Sequence, residues 1–287
     1  MAPSVLPIVV DNASTDDTLA RVETHPEARV ISNHENRGFA AGANQGEKAA
    51  AGADLILLLN PDTELSTGIE PLVDAAREQG LAAGQLTNEH GEAQTGFTIR
   101  RLPTTGTLIF ELLGVNRLWP GNPVNRRYRY LGRDLDQPGP VEQPAGAFLM
   151  VRRDVWQRLG GLDESFRPVW FEDVDFCQRA HAAGYRIQYV PSVKAVHGGA
   201  HSVSQLASGP RAVYWCVSLL KYAAKHFSSG EYRAICLAML LGSLPRMVAG
   251  MIRERSLSSA AYLKIIRFAS KGVVSPRILQ HGTGTIH

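Results

Sequence analysis

The sequence predicts an α/β fold in which a mostly parallel sheet carries crossover helices, followed by a helical extension at the C-terminus. Short apolar runs alternate with helix-forming stretches over the first 62 residues, and this alternation is typical of parallel strands joined by helices. The 287 residues are 44% hydrophobic and 20% charged, which is ordinary for a large globular core. The first residues, MAPSVLP, lack the basic start and long apolar run of a secretory signal.

Three strands are predicted before residue 60. The runs VLPIVVDNAS and ARVISN give the first two, and LILLL (Leu55–Leu59) gives the third. Five apolar residues are too few for an ordinary helix, so we expect a central strand that is buried on both faces. Ligands of open α/β sheets bind at the carboxyl ends of the strands. Asp11, Asn12 and Asp62 follow apolar runs and are therefore expected at that edge.

Helices are predicted between these strands and beyond them. Ser14 is expected to cap the first helix, a second helix is expected around residues 41–51, and others in GIEPLVDAAREQG and from about Glu172 to Ala183. GAFLMVRRDVWQRLGG predicts a strand that runs into a helix. Residues 88–140, rich in Pro, Gly and Arg, predict a partly irregular insertion. We expect an α/β domain over residues 1–205 and a helical, basic region over residues 206–287.

The third strand ends in the polar turn Asn60-Pro61-Asp62. Pro and Asp are favoured turn formers, so one interpretation is a turn with no further role. The other is that the strand delivers the Asp62 carboxylate to the ligand edge of the sheet. The turn by itself leaves both interpretations open.

Three acids crowd the start of a predicted helix in WFEDVDFCQR. Glu172, Asp173 and Asp175 follow Trp170 and Phe171. One interpretation is helix capping, since acids near a helix N-terminus are stabilising. The other is a general base, because like charges and apolar neighbours can raise the pKa of a carboxyl group. The local sequence favours neither.

His197 lies at the end of a predicted strand and is followed by glycines. A single histidine is often structural. If Asp62 lies nearby, the imidazole and the carboxylate could share a divalent metal with a diphosphate. The spacing of the two residues does not decide between these possibilities.

The C-terminal region carries most of the positive charge. Residues Arg211–Arg277 contain 11 Lys/Arg and 2 Asp/Glu, a net charge of +9, whereas the remainder carries −6. Ala234–Ile252 is apolar, but its uncharged part before Arg246 has 12 residues, too few to span a bilayer. We expect an interfacial helix at an anionic lipid surface; a helix packed on the catalytic domain and a dimer contact are the alternatives. Nucleic acid is not expected, because aromatic stacking platforms are missing. The three scattered cysteines predict reduced thiols in a cytosolic protein.

Taken as an ordered set, six stretches resemble the inverting glycosyltransferases of family 2, which have the GT-A fold, and in particular the rhamnosyltransferase-like subgroup. They span about Ile8 to Ala200: IVVDNASTDDT, NRGFAAGANQG, LLLNPDTEL, GAFLMVRRDVWQRLGGLDESF, FEDVDFCQRAHAAGYRI and VPSVKAVHGGA.

The resemblance implies a role for each matching residue. Asp173, with Glu172, would be catalytic, and Asp62 and His197 would hold Mg²⁺ or Mn²⁺. Trp170 and Gly146 would lie on the acceptor side. The residues implied in nucleotide-sugar binding are Asp11, Asn12, Asn36, Gly38, Asn44 and Asn60. Asn60 replaces the first acid of the family's metal motif, which removes one charge.

The resemblance also implies the partners. We expect a dTDP-rhamnose donor, with UDP- and GDP-sugars as alternatives, and a polyprenyl-linked or glycan acceptor at the inner face of the cytoplasmic membrane. A homodimer is also compatible. The family usually begins with one more βα unit than this sequence shows, so we expect either an upstream start or a truncated chain. The alternative function is accordingly an inactive remnant that acts as a binding or partner subunit.

Overall fold

The computed structural model describes residues 4–198, 208–253 and 257–274. The chain divides into two compact units. The first comprises Met1–Arg100 and Arg133–Gly199, and the second comprises Arg101–Gly132 and Ala200–His287. The sequence predicts one boundary at residue 205, whereas the structure groups residues 101–132 with the C-terminal helices.

The strands and helices are numbered along the chain. The strands are β1 (Ile8–Asp11), β2 (Arg29–Ser32), β3 (Leu55–Leu59), β4 (Thr63–Leu65), β5 (Gly80–Thr87), β6 (Ile99–Arg100), β7 (Gly139–Val141), β8 (Gln143–Pro144), β9 (Phe148–Arg152) and β10 (Arg186–His197). The helices are α1 (Thr18–Glu23), α2 (Phe39–Ala49), α3 (Glu70–Gln79), α4 (Thr105–Leu112), α5 (Val115–Leu118), α6 (Pro123–Tyr128), α7 (Arg153–Leu159), α8 (Glu172–Ala182), α9 (Ser208–His226), α10 (Ser229–Arg253) and α11 (Leu257–Val274).

The first unit is built on a six-stranded mixed sheet. Its order is β3-β9-β5-β10-β4, and β7 also pairs with β10. β5 and β10 are parallel, while β9 is antiparallel to both β3 and β5. The α/β prediction is therefore confirmed. The sheet is mixed and not mostly parallel, because β5 and β10 pair in parallel whereas the other pairings described for this sheet, with β9, β4 and β7, are antiparallel. β3, β5 and β10 point the same way, so their carboxyl ends share one edge.

Two smaller sheets complete this unit. β1 and β2 pair in parallel, from Ile8 opposite Arg29 to Asp11 opposite Ser32. β6 and β8 form a short antiparallel pair. The core of the six-stranded sheet lies under α3, whose buried face packs against β9 and β10; it includes Leu72, Ala76, Phe148, Met150 and Val193.

Two local expectations are wrong. β3 is an edge strand of the six-stranded sheet and not a central one, so Leu55 and Leu57 are only partly buried and Leu59 is exposed. Ser14 is not the cap of α1, which begins at Thr18 after Asp17. The Ser14 backbone N–H instead donates to the Asp11 carboxylate, 3.3 Å from each oxygen. Three predicted helices are confirmed: α3 in GIEPLVDAAREQG, α7 in GAFLMVRRDVWQRLGG, and α8 in the stretch from about Glu172 to Ala183.

The second unit is helical. Residues 101–132 are expected to be partly irregular, yet they contain α4, capped by the Thr104 hydroxyl, and α6, capped by the Asn122 side chain. α4 is tied to α10, because the Thr105 hydroxyl donates to Glu231 and the Arg246 guanidinium donates to the Leu112 carbonyl. These contacts explain why residues 101–132 belong to this unit. Within the described ranges, no helix has the length and apolar character needed to cross a bilayer.

Candidate functional site

The carboxyl edge of the six-stranded sheet brings Asp62 and His197 together. β4 pairs antiparallel with the last residues of β10, and Thr63 lies opposite His197. Asp62 immediately precedes Thr63, so its carboxylate Oδ1 lies 3.5 Å from His197 Nε2. The Asp62 backbone carbonyl also accepts a hydrogen bond from Gly198 N–H. Strand register, acting across 135 positions of the chain, therefore creates a pair that the spacing alone does not reveal.

Gln94 and Phe97 fix the imidazole of His197. The Gln94 side-chain N–H donates to the His197 backbone carbonyl at 2.8 Å, which turns Gln94 Oε1 towards His197 Nδ1 at 3.1 Å. Because an amide oxygen only accepts, Nδ1 carries the ring proton. The Phe97 ring stacks on the imidazole with centroids 5.1 Å apart. In the neutral imidazole, Nε2 is then an unprotonated donor atom that faces Asp62.

This pair fits a divalent cation. A lone pair aimed at a carboxylate is repulsive unless a proton or a cation lies between them, and a histidine oriented by a second partner is the usual arrangement at metal sites. In the described part of the chain, however, no three His, Cys, Asp or Glu side chains are grouped so as to enclose a metal by themselves. Asp62 and His197 could thus supply two ligands, and the others would have to come from a bound molecule.

Asp173 lies at the same edge and is held by three donors. Its Oδ2 accepts from the Gly146 backbone N–H at 3.0 Å and from the Gln143 amide at 3.4 Å, and its Oδ1 accepts from Val174 N–H at 2.8 Å. A Cβ at position 146 would lie 2.9 Å from the Asp173 Cβ, so only glycine allows this approach. The carboxylate is therefore fixed, and it remains half-buried instead of being enclosed.

The turn before β9 links the two halves of the edge. Asn60 N–H donates to the Ala147 carbonyl at 3.1 Å, and Ala147 follows the Gly146 that binds Asp173. The turn of Asn60-Pro61-Asp62 and the Asp173 carboxylate are thus hydrogen-bonded to consecutive residues, Ala147 and Gly146.

Glu172 differs from its neighbour in burial. Its side chain is 5% exposed, and Oε2 has no hydrogen-bond partner. Burial raises the pKa of Glu172 well above its usual value, and the adjacent Asp173 raises it further. Burial therefore favours the neutral acid at Glu172, because a buried carboxylate with an oxygen that lacks a donor is costly.

Asp175 is structural. It is fully buried and pairs with Arg179 at 2.8 Å, one helical turn away. The same guanidinium donates to the carbonyl of Leu159, the last residue of α7, and to that of Gly161 just after it. The three acids of α8 therefore have different environments. Glu172 is buried with one oxygen unpartnered, Asp173 is half-buried and held by three donors, and Asp175 is buried and ion-paired.

Strained backbone precedes α8. Trp170 and Phe171 have φ values of 79° and 70°, which residues other than glycine rarely adopt. Such conformations cost about 1–3 kcal/mol each and persist where the surroundings impose them. They position the Asp173 side chain at the start of the helix. Trp170, expected on the acceptor side, is partly exposed.

A loop that begins α2 is joined to the segment before α8. Gly38 N–H donates to Asn36 Oδ1, and Asn12 Nδ2 donates to the Gly38 carbonyl. Phe39 N–H donates to the Pro168 carbonyl, and Arg167 donates to the Asn36 carbonyl. Hydrogen bonds thus connect the loop of Asn36 and Gly38, which is expected to bind the nucleotide, to the segment that leads to Asp173.

The remaining expected nucleotide contacts are engaged within the unit. Asp11 is buried and accepts from Ser14 N–H. Asn44 uses both ends of its amide on the loop after α7, through Leu162 N–H, the Leu162 carbonyl and Glu164. Their roles in binding a nucleotide stay predictions.

Sequence reasoning missed Gln94, Phe97, Gln143 and Arg167. Gln94 and Phe97 lie in the stretch expected to be irregular, and nothing in their spacing points to His197. Gln143 lies three residues before Gly146 and next to a proline. A polar residue just before the apolar strand of GAFLM is the one signal that could have indicated it.

Comparisons with known proteins agree on a family. A family model described as Glycosyl transferase family 2 matches residues 7–160, and one described as Glycosyl transferase family group 2 matches residues 131–252. N-acetylglucosaminyl-diphospho-decaprenol L-rhamnosyltransferase of Mycobacterium tuberculosis (strain ATCC 25618 / H37Rv) is 31% identical over 266 residues, which cover 86% of this chain and 83% of the relative. Rhamnosyltransferase WbbL of Escherichia coli (strain K12) is 25% identical over 197 residues, 66% of this chain and 69% of the relative.

A solved structure shares the fold. The crystal structure of GalNAc-T7 with UDP, GalNAc and Mn²⁺ matches with a TM-score of 0.52 and 14% sequence identity. The match covers 96% of this chain, which spans about half (51%) of that solved chain. At this identity the likeness concerns the fold alone.

Proposed function

The chain belongs to glycosyl transferase family 2, and we propose that it transfers rhamnose from dTDP-rhamnose to a polyprenyl-linked or polysaccharide acceptor, with inversion at the anomeric carbon. Two of its relatives are named rhamnosyltransferases, which favours rhamnose over the sugars of UDP- and GDP-linked donors. The name of the mycobacterial relative favours a lipid-linked acceptor. The observation that carries the proposal is the Asp173 carboxylate, anchored on Gly146 at the sheet edge where Asp62 meets His197.

Asp173 acts as the general base in this proposal. Direct displacement at an anomeric carbon requires a proton to leave the acceptor hydroxyl as the new bond forms. A base must be held in position and must remain accessible to the acceptor. Hydrogen bonds from Gly146 and Val174 hold the Asp173 carboxylate, and its partial exposure leaves it accessible. Glu172 is buried and its pKa is raised, which favours the neutral acid, so we assign the base to Asp173 and a supporting role at the start of α8 to Glu172.

The donor diphosphate lies against Asp62 and His197. Mg²⁺ or Mn²⁺ bound there would act as a Lewis acid that neutralises charge on the leaving diphosphate. Gln94 keeps the His197 Nε2 lone pair available. Because residue 60 is Asn and not an acid, this residue adds no negative charge that would repel the diphosphate.

The nucleoside is proposed to lie near Asp11 and Asn12 at the end of β1, under the loop of Asn36 and Gly38. This loop is bonded to Arg167 and Pro168, which lead to the strained residues before Asp173. Donor binding at this loop would therefore restrain the position of Asp173. We locate the reaction at the inner face of the cytoplasmic membrane, supported by the basic C-terminal region.

The test is Asp173→Asn, with Asp74→Asn as a matched control. Asp74 is an exposed residue of α3 in the same unit. We expect Asp173→Asn to lower transfer about 10²–10⁴-fold, the usual contribution of a general base, with unchanged dTDP binding. Product NMR should show the anomeric configuration opposite to that of the donor. Undiminished transfer by Asp173→Asn, or retention of configuration, would contradict the proposal; dTDP binding without any transfer by the wild-type chain would favour the binding-subunit alternative.

A further inference from the structure

The solvent-facing side of α10 is apolar. Leu237, Leu241, Leu244 and Val248 are 48–61% exposed, and their spacing of four, three and four residues places them on one face of the helix. The opposite face is also apolar and is buried, as at Ile235. A surface helix normally turns polar residues outward. The four residues, called the α10 stripe below, therefore form an unusual exposed surface.

A second exposed apolar group lies in the same unit. Leu118 and Trp119 are 87% and 60% exposed, and Leu113 is 41% exposed. They belong to the segment around α5, in which the neighbouring Arg117 and Arg126 are exposed as well. Trp side chains with an apolar body and a polar N–H suit the boundary between water and lipid.

α10 and the end of α4 meet at one contact. Gly242 packs directly against the Leu112 carbonyl, which leaves no space for a Cβ, and Arg246 donates to the same carbonyl. The α10 stripe lies about 130° around the helix from Gly242. This contact therefore holds α10 against the end of α4 by a buried face and leaves the stripe exposed.

The unit that carries this surface is strongly basic. Residues 101–132 and 200–287 contain 16 Lys/Arg and 3 Asp/Glu, a net charge of +13, while the rest of the chain carries −10. An anionic lipid surface satisfies both properties, because aliphatic and indole groups enter the headgroup region while Lys and Arg pair with lipid phosphates. A second copy of the chain would bring two charges of +13 together, and nucleic acid would leave the aliphatic stripe uncovered.

We propose that the α10 stripe docks on an anionic phospholipid surface, with Leu118 and Trp119 as a second apolar contact from the same unit. This inference deepens the proposed function, whose lipid-linked acceptor would reside in such a surface, by naming the residues that would bring the enzyme to it.

The test is cosedimentation of the full chain with vesicles of phosphatidylglycerol or of phosphatidylcholine, without sugar nucleotide. We expect binding to phosphatidylglycerol that weakens at 0.5 M salt, and little binding to phosphatidylcholine. Leu241→Glu combined with Leu244→Glu should lower the partition coefficient at least tenfold. The matched control is Val5→Glu with Leu6→Glu, two comparably exposed residues of the other unit, and should bind as the wild type does.

Three results would overturn the inference: equal sedimentation of the wild type with and without vesicles, unchanged binding by the stripe variant, or a wild-type dimer that the stripe variant dissociates. The assay is independent of catalysis. Vesicle binding without transfer would contradict the proposed function alone, and transfer to a soluble acceptor without vesicle binding would contradict this inference alone.

Discussion

Replacement of Gly146 by alanine should disable the enzyme without unfolding it. An ideal Cβ at this position lies 2.9 Å from the Asp173 Cβ and 3.5 Å from its Oδ2. Carbon atoms pack at about 3.5–4.0 Å, so Asp173 or the turn must retreat by roughly 0.6–1 Å. The hydrogen bond from Gly146 N–H, now 3.0 Å, would then exceed hydrogen-bonding range.

The expected loss follows from this displacement. A reacting group misplaced by about 1 Å costs about 10²-fold in rate, so kcat should fall about 100-fold, equivalent to about 2.7 kcal/mol of activation free energy. The KM for the donor should change little, because the nucleotide is expected at the loop that begins α2. The assay is transfer of radiolabelled sugar at saturating donor and acceptor, with melting temperature and dTDP binding measured in parallel.

Gly230→Ala is the matched control. Position 230 lies at the start of α10 with no atom within 4 Å of its ideal Cβ, and neither glycine has a left-handed φ. Its kcat should equal that of the wild type, and its stability should rise by up to about 1 kcal/mol. A Gly146→Ala variant that is folded and keeps the wild-type kcat would refute the assignment of Asp173 as an anchored base.

Further predictions concern the groups around the site. Arg179→Met should destabilise the fold by about 3 kcal/mol or more in urea unfolding, because the buried Asp175 carboxylate loses the charge of the Arg179 guanidinium. Arg21→Met, which breaks an exposed pair of equal length and spacing, should cost less than about 1 kcal/mol, and equal costs would refute the role of burial. Gln94→Leu should weaken Mn²⁺ binding about 10–100-fold in a dTDP-containing titration, because His197 loses its orientation; unchanged affinity would argue against the site. Glu172→Gln should flatten the pH dependence of stability. The pKa of Glu172 is raised above its unfolded value, near 4.5, so the stability of the wild type falls as the pH rises from that value towards the folded pKa. Parallel stability curves of the wild type and the variant above that pH would contradict this.

The fold class could be predicted from the sequence because local patterns carry it. Leu55–Leu59 is apolar enough to predict a strand wherever it lies in the sheet. Its position at the edge of the six-stranded sheet, however, depends on β9, which is drawn from residues 148–152 far along the chain. Local pattern gives strand identity, whereas strand order is a long-range property.

The candidate site likewise combines residues that local sequence indicates with contacts that depend on distant parts of the chain. The acids of WFEDVDFCQR look alike in sequence, and only burial and partners separate Glu172, Asp173 and Asp175. The contact between Asp62 and His197 depends on the register of β4 and β10. Residues 101–132 were expected to be partly irregular because α4, α5 and α6 are too short to show a helical period.

The most direct test of the account is calorimetric titration of the chain with dTDP, with and without Mn²⁺, and of the Asp62→Ala and Asp173→Asn variants. We expect binding that requires Mn²⁺, is lost in Asp62→Ala and is kept in Asp173→Asn, because Asp62 would hold the donor whereas Asp173 would accept the proton of the acceptor. Binding of equal strength with and without Mn²⁺, or equal loss in both variants, would contradict it.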